Sequence, residues 1–201
     1  MNGYIILVMK HSDNLTIRLK SSIEAFEAFI ADEANLDTFE KMVALLVESL
    51  KNGGRIYIAG NGGSAADAQH MAAEFVCRLG RDRNPIPCEA LTTDTSIITA
   101  IGNDYGYNKI FSRQLQAKMQ KDDVFLAITT SGKSPNILEA LTFCHDRDFN
   151  SMVLSGKNGG KAAALAGICL VANGTETSII QELHIAIEHA LCACVEAELY
   201  P

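Results

Sequence analysis

Apolar residues recur at helical spacing in two stretches before residue 53 and in short unbroken runs after it. From about Asn14 to Ala31 the apolar positions include Ile17, Leu19, Ile23, Phe26, Phe29 and Ile30; from about Asp37 to Lys51 they include Met42, Leu45, Leu46 and Leu50. Spacings of three and four residues mark one face of a helix, so the chain opens on a predicted helical hairpin over about 14–52. After Gly53-Gly54 the runs are RIYIAG, IPCEALT, DVFLAIT, SMVLSG and ICLVAN, separated by stretches of helical texture. Short apolar strands joined by helix-length connections predict βαβ units over about 55–201, an α/β fold with a doubly wound five-stranded parallel sheet covered on both faces. No linker, repeat or low-complexity tract interrupts the pattern, so the 201 residues read as a single domain.

Such sheets bind ligands in the loops beyond the carboxyl ends of their strands. The polar and glycine-rich segments fall there: GNGGSAAD after the first run, IGNDYGYN after the second, TTSGKSPN after the third and SGKNGGK after the fourth. In TTSGKSPN, Ser134 suits an N-cap and Pro135 the first helical position. A helix N-terminus there offers free N–H groups to an anion, and Thr130, Ser131 and Ser134 add hydroxyls, a cradle suited to a phosphate monoester. GNGGS fits neither the dinucleotide fingerprint nor the phosphate loop of nucleotide triphosphatases. Its glycines let a ligand approach the backbone, and Asn61 and Ser64 can bond sugar hydroxyls or cap the following helix.

His70 and Glu74 follow on that helix four residues apart, on one face and roughly 6 Å apart along the axis. The last predicted helix carries Gln181, Glu182, His184, Glu188 and His189 among apolar residues. Gln181 and His189 lie about 12 Å apart along it. They could only just reach one ion, and alternatively one of them serves a site in a neighbouring subunit. His184 and Glu188 read as an intrahelical or core polar pair.

Charge and cysteine usage narrow the class. The 17 basic and 24 acidic residues give a net charge of -7 and a pI near 5.2, without the basic surplus of a nucleic-acid binder. Six cysteines are scattered among apolar neighbours with no metal-like spacing and read as reduced core residues. The opening MNGYIILVMK has an apolar run of only six residues, with neither signal-peptide flanks nor the length to span a bilayer. The expected location is cytoplasmic, with no membrane and no direct nucleic-acid partner, and Met9 is a second candidate start.

Four segments, GNGGSAADAQHMAAEF, LTTDTSIITAIGNDYGYN, TTSGKSPNILEAL and IIQELHIAIEHALC, occur in an order that resembles the sugar isomerase (SIS) domain family and, within it, the phosphoheptose isomerases. The likeness runs from the hairpin to Leu199. It implies flavodoxin-like layering and an aldose–ketose sugar-phosphate isomerase that converts sedoheptulose 7-phosphate to D-glycero-D-manno-heptose 7-phosphate for lipopolysaccharide. By position it implies that Asn61, Gly62, Gly63, Glu74, Asn103, Asp104 and Gln181 contact substrate, while Thr129, Thr130, Ser131 and Ser134 hold its phosphate. His70, Glu74, Gln181 and His189 match the family's zinc ligands, and Glu74 and His189 its acid–base pair. The family is tetrameric, with active sites between subunits. One departure is Ser178-Ile179, where many relatives carry charged residues. A second reading is a non-enzymatic tetramer of this fold that binds the replication initiator DnaA; retention of Glu74 and His189 favours the enzyme. A third, a hexosamine phosphate isomerase, would keep the phosphate loop but not this combination of helices.

Overall fold

A computed structural model describes residues 10–201; the apolar run at the N-terminus and the alternative start at Met9 lie outside the described residues. Two helices open the chain, α1 (His11–Ile30) and α2 (Glu33–Lys51). The second starts four residues before the expected Asp37, because the Asp32 carboxylate accepts the Ala34 N–H at 3.0 Å and caps the helix there. Strands β1 (Ile56–Ala59), β2 (Cys88–Ala90), β3 (Val124–Thr129), β4 (Asn150–Gly156) and β5 (Ile168–Ala172) follow the five apolar runs. They pair in parallel in the order β2-β1-β3-β4-β5.

Alternate residues of each strand enter two cores. Ile56, Ile58, Val124, Leu126 and Leu154 face α2 together with α3 (Gly63–Val76) and α7 (Thr177–Leu199). Tyr57, Phe125, Ala127 and Val153 face the other side, with α5 (Ser112–Lys118) and α6 (Pro135–His145); Ile98 and Ile101 of α4 (Thr95–Tyr105) pack at its margin. Burial on both faces explains the continuous apolar strands. By length and composition α7 could cross a membrane, but it packs between α2 and α3 with Leu183, Ile187, Leu191 and Val195 in the core.

Strand order reverses between β1 and β3, which opens a crevice beyond their carboxyl ends. Every helix that follows a parallel strand starts at that edge and runs back along the sheet. Thus α3, after β1, and α7, after β5, run in the same direction on the same face. Among the cysteines, Cys144 and Cys192 are buried, but Cys77 is exposed and Cys88, Cys169 and Cys194 are half-buried, so the sequence expectation of six core thiols holds only in part.

Candidate active site

Two ligand loops meet at the crevice. The Asn61 amide donates to Asn136 Oδ1 at 2.9 Å and the Asn136 amide donates back to Asn61 Oδ1 at 2.8 Å. Asn136, the second residue of α6, is buried and also accepts the Ile137 N–H at 3.0 Å. The reciprocal pair ties the glycine turn after β1 to the Thr-Ser loop after β3. Tyr107, in a 3-10 turn over Tyr107–Lys109, adds its hydroxyl 3.3 Å from Asn61 Oδ1. Neither Asn136 nor Tyr107 was singled out in the sequence. Asn136 stands in the quoted loop as an Asn inside the first turn after Ser-Pro, where a polar side chain turned inward needs a partner. Asn103 and Asp104 lie at the exposed end of α4, with the Asn103 amide donating to Asp104 Oδ1 at 2.8 Å.

In the loop after β3, Thr129 Oγ1 accepts the Gly132 N–H at 3.3 Å, and Ser131 Oγ accepts the Lys133 N–H at 3.2 Å. Ser134 occupies the N-cap of α6, as its place before Pro135 predicts, and its hydroxyl makes no capping bond. The loop is buttressed from behind. Gly132 has φ +63°, and a Cβ there would stand 2.0 Å from the Gly159 carbonyl oxygen, while the Gly132 carbonyl accepts the Ala162 N–H at 3.1 Å. Only glycine allows the loops after β3 and β4 to touch.

Because α3 and α7 are parallel, equivalent levels of the two helices meet. At the first level, Gly63 makes room for the Gln181 amide: a Cβ on Gly63 would stand 2.2 Å from Gln181 Nε2. Two turns on, roughly 10 Å along α3, His70 Nε2 lies 2.8 Å from His189 Nε2 and 3.6 Å from Glu74 Oε1. One ligand atom from each of His70, Glu74 and His189 falls within 4.8 Å of the other two. The structure thus gathers His70, Glu74 and His189 within one chain and seats Gln181 at the other level. Distances of 2.8 and 3.6 Å bracket the roughly 3.3 Å between neighbouring donors of a tetrahedral zinc site. Two imidazoles and a carboxylate, with a position left open, fit that ion's catalytic pattern without being selective for it. The His70 side chain is 43% exposed and that of Glu74 19%, so the cluster is open to solvent on the His70 side.

Behind the cluster lie polar groups of α7 and α3 with no hydrogen-bond partner: both nitrogens of His184, both carboxyl oxygens of Glu188 and Oδ2 of Asp67. His184 and Glu188 are core residues, as expected, but are not bonded to each other. Burial pushes Glu188 up to about 9, with the nearby Asp67 acting in the same direction. Burial lowers His184 to about 4, only partly offset by the Ser155 backbone, which approaches it without a well-aligned bond. Asp67 is also raised by burial, with His70 pulling the other way. At the start of α7, Ser178 is exposed and Ile179 is buried against Gly174, an apolar contact where charged residues were expected from the resemblance.

Residues 19–156 match the SIS domain family. The phosphoheptose isomerase of Aneurinibacillus thermoaerophilus is 49% identical over 189 residues, 94% of this chain and 96% of that protein. Phosphoheptose isomerase 2 of Campylobacter jejuni is 52% identical over 180 residues, 89% of each chain. The structure of the phosphoheptose isomerase from Neisseria gonorrhoeae superposes with a TM-score of 0.86 at 39% identity, covering 94% of this chain and all of that one.

Proposed function

Since the chain belongs to the SIS domain family and, within it, to the phosphoheptose isomerases, we propose that it interconverts sedoheptulose 7-phosphate and D-glycero-D-manno-heptose 7-phosphate. It is a sugar-phosphate isomerase. The observation that carries the mechanism is the meeting of Glu74 and His189 in a cluster with His70, which stands two helical turns along α3 from Gly63. An extended seven-carbon sugar phosphate has about eight bonds between C1 and phosphorus and spans roughly 10 Å at about 1.2 Å per bond. With its phosphate on Thr129, Thr130, Ser131, Ser134 and the start of α6, its reacting carbons would extend toward the cluster.

Glu74 removes a proton from C1 of the ketose, and the electron pair forms the C1–C2 double bond of a cis-enediol as O2 gains a proton. His189 carries protons between O2 and O1; Glu74 returns its proton to C2 as the C1 carbonyl forms. Asn61, Gly62, Gly63, Asn103, Asp104 and Gln181 orient the hydroxyls in between. His70, Glu74 and His189 would hold zinc, with Gln181 joining them only if its amide leaves Gly63. Bound there, the ion would polarise the carbonyl oxygen and ease enediolate formation.

The exposure of His70 and the exposed apolar stripe of α1 support a homotetramer with active sites at subunit interfaces. Leu15, Leu19, Ile23 and Ile30 are each more than half exposed and lie within an arc of about 80°. The cytoplasm suits free thiols and a sugar phosphate, and the product would feed ADP- or GDP-heptose synthesis for envelope polysaccharide. Isomerase names attach to relatives that share about half their residues with this chain, and nothing in the site favours the DnaA-binding alternative. The test is incubation with sedoheptulose 7-phosphate in D2O, followed by NMR. Aldoheptose phosphate is expected, with deuterium at C2 only to the extent that the proton on Glu74 exchanges with solvent before its return; no turnover, with tight DnaA binding, would overturn the reading.

A further inference from the structure

Arg83, in the loop between α3 and β2, has a side chain only 3% exposed, and its partner Glu196 on α7 is 7% exposed. Its guanidinium Nη2 donates to the Glu74 carbonyl at 2.8 Å, and Nη1 donates to the carbonyls of Phe75 at 2.7 Å and Asn84 at 3.1 Å. Nε donates to Glu196 Oε2 at 3.0 Å, and the other carboxylate oxygen accepts the Arg81 N–H at 3.3 Å. Glu74 and Phe75 are in the last turn of α3, whose carbonyls have no partner within the helix. A cation there also meets the negative end of the helix dipole. Glu196 follows His189 by seven residues, two turns along the same face of α7. One buried ion pair therefore grips the backbone of Glu74 with one hand and the helix of His189 with the other.

We propose that Arg83 and Glu196 are positioning residues that set the register of α3 against α7 and so hold the Glu74 carboxylate at His189. Neither touches the substrate; both act through the backbone of α3. The inference rests on Glu74 and His189 being the acid–base pair. The helices are parallel, so a shift confined to the last turn of α3 against α7 changes the distance between the two side chains, while the phosphate loop is tied to the opposite end of α3 through Asn61 and Asn136. The clamp should thus govern turnover and leave substrate affinity alone.

Four variants of the full chain test this: Glu74→Gln, Arg83→Lys, Arg83→Met and the double variant Arg83→Met/Glu196→Met, each assayed for kcat, KM and thermal midpoint. Removing one member of a buried pair destabilises strongly, whereas replacing both with apolar residues of similar volume is often neutral or stabilising. The double variant is therefore expected to recover the thermal midpoint lost in Arg83→Met. Its kcat should stay about 10- to 100-fold below wild type with KM within twofold, since misplacement by about 1 Å costs on that scale. Arg83→Lys, which keeps the charge and can reach one carbonyl, should recover part of kcat. Return of kcat together with the thermal midpoint in the double variant would make the pair merely structural and overturn the proposal. Wild-type kcat in Glu74→Gln would instead remove the acid–base reading beneath it.

Discussion

Replacing Glu188 with Gln is expected to abolish the fall in stability that its buried carboxyl imposes above pH 6.5. Burial raises the Glu188 carboxyl from 4.5 to about 9 and lowers His184 from 6.5 to about 4. A raised group supports the fold fully below its unfolded value and loses that support as pH climbs through its folded one. Glu188 therefore costs stability progressively from pH 4.5 to about 9. His184 runs the other way: its contribution is complete above 6.5 and lost as pH falls toward about 4. The two slopes oppose each other between 4.5 and 6.5, and above 6.5 Glu188 acts alone. One proton corresponds to about 1.4 kcal/mol per pH unit, so from pH 6.5 to 8.5 the fold loses about 3 kcal/mol. For a domain of this size that is a fall of roughly 6–12 °C in the thermal midpoint. Higher still, the thiols of Cys144, pushed up to about 12, and Cys192, also raised by burial, begin to add losses of their own. The assay is urea unfolding by circular dichroism at half-unit pH steps with a chelator present. Wild type should slope downward across the window and Glu188→Gln should be flat. A flat wild type, or a variant with the wild-type slope, would refute the reasoning.

Five further outcomes are expected. Glu74→Gln should lower turnover by about 100-fold or more with the circular dichroism spectrum unchanged, as general acid–base groups contribute factors of about 10² to 10⁴; a twofold loss would remove it from the mechanism. Gly132→Ala should cost about 2–4 kcal/mol and raise KM, since its Cβ meets rigid backbone at positive φ. Gly63→Ala should cost less than about 1 kcal/mol, because it displaces only the end of the Gln181 side chain; equal thermal losses in the two would contradict this. Asn136→Ala should raise KM about tenfold, equivalent to about 1.4 kcal/mol, by releasing Asn61; an unchanged KM would show that Asn61 needs no partner. Because Glu74 and His189 meet in one chain, Glu74→Gln and His189→Ala proteins unfolded and reassembled together should stay inactive, whereas regained activity would mean the pair is divided between subunits.

The strands were legible because parallel strands buried on both faces must be apolar throughout, and the five runs say so without any knowledge of neighbours. His70 and Glu74 were legible as a pair because helical spacing alone puts them on one face. Strand order was not legible, and with it went the contact between α3 and α7. Spacing along α7 places Gln181 and His189 at different heights, but only the tertiary packing supplies Gly63 at one height and His70 at the other. Arg83 was invisible for a related reason. It stands nine residues after Glu74, outside any motif, and reaches its carbonyl only because the loop folds back beneath the helix. Helix starts set by a carboxylate were not read: Asp32 caps α2 ahead of the expected Asp37, and Asp94 accepts the Ile97 N–H at 2.9 Å at the start of α4. At Ser134 the cap position was legible from Ser-Pro, although its hydroxyl makes no capping bond.

The parallel run of α3 and α7 follows from the sheet, and the spacing of the site follows from the parallel run. Helices that leave the carboxyl edge of one parallel sheet start level, so residues a similar number of positions from the edge meet. His70 is seven residues beyond Gly63, and His189 eight beyond Gln181, so two turns of helix separate the glycine turn from the cluster. On the proposed reading that interval, roughly 10–12 Å, sets how many carbons fit between a phosphate held at the edge and a carbon presented to the cluster. One turn more or less would change it by about 5.4 Å, or four to five bonds at about 1.2 Å each. Chain length is then measured by helical register, and register is what the Arg83–Glu196 pair holds at the far end of the same two helices.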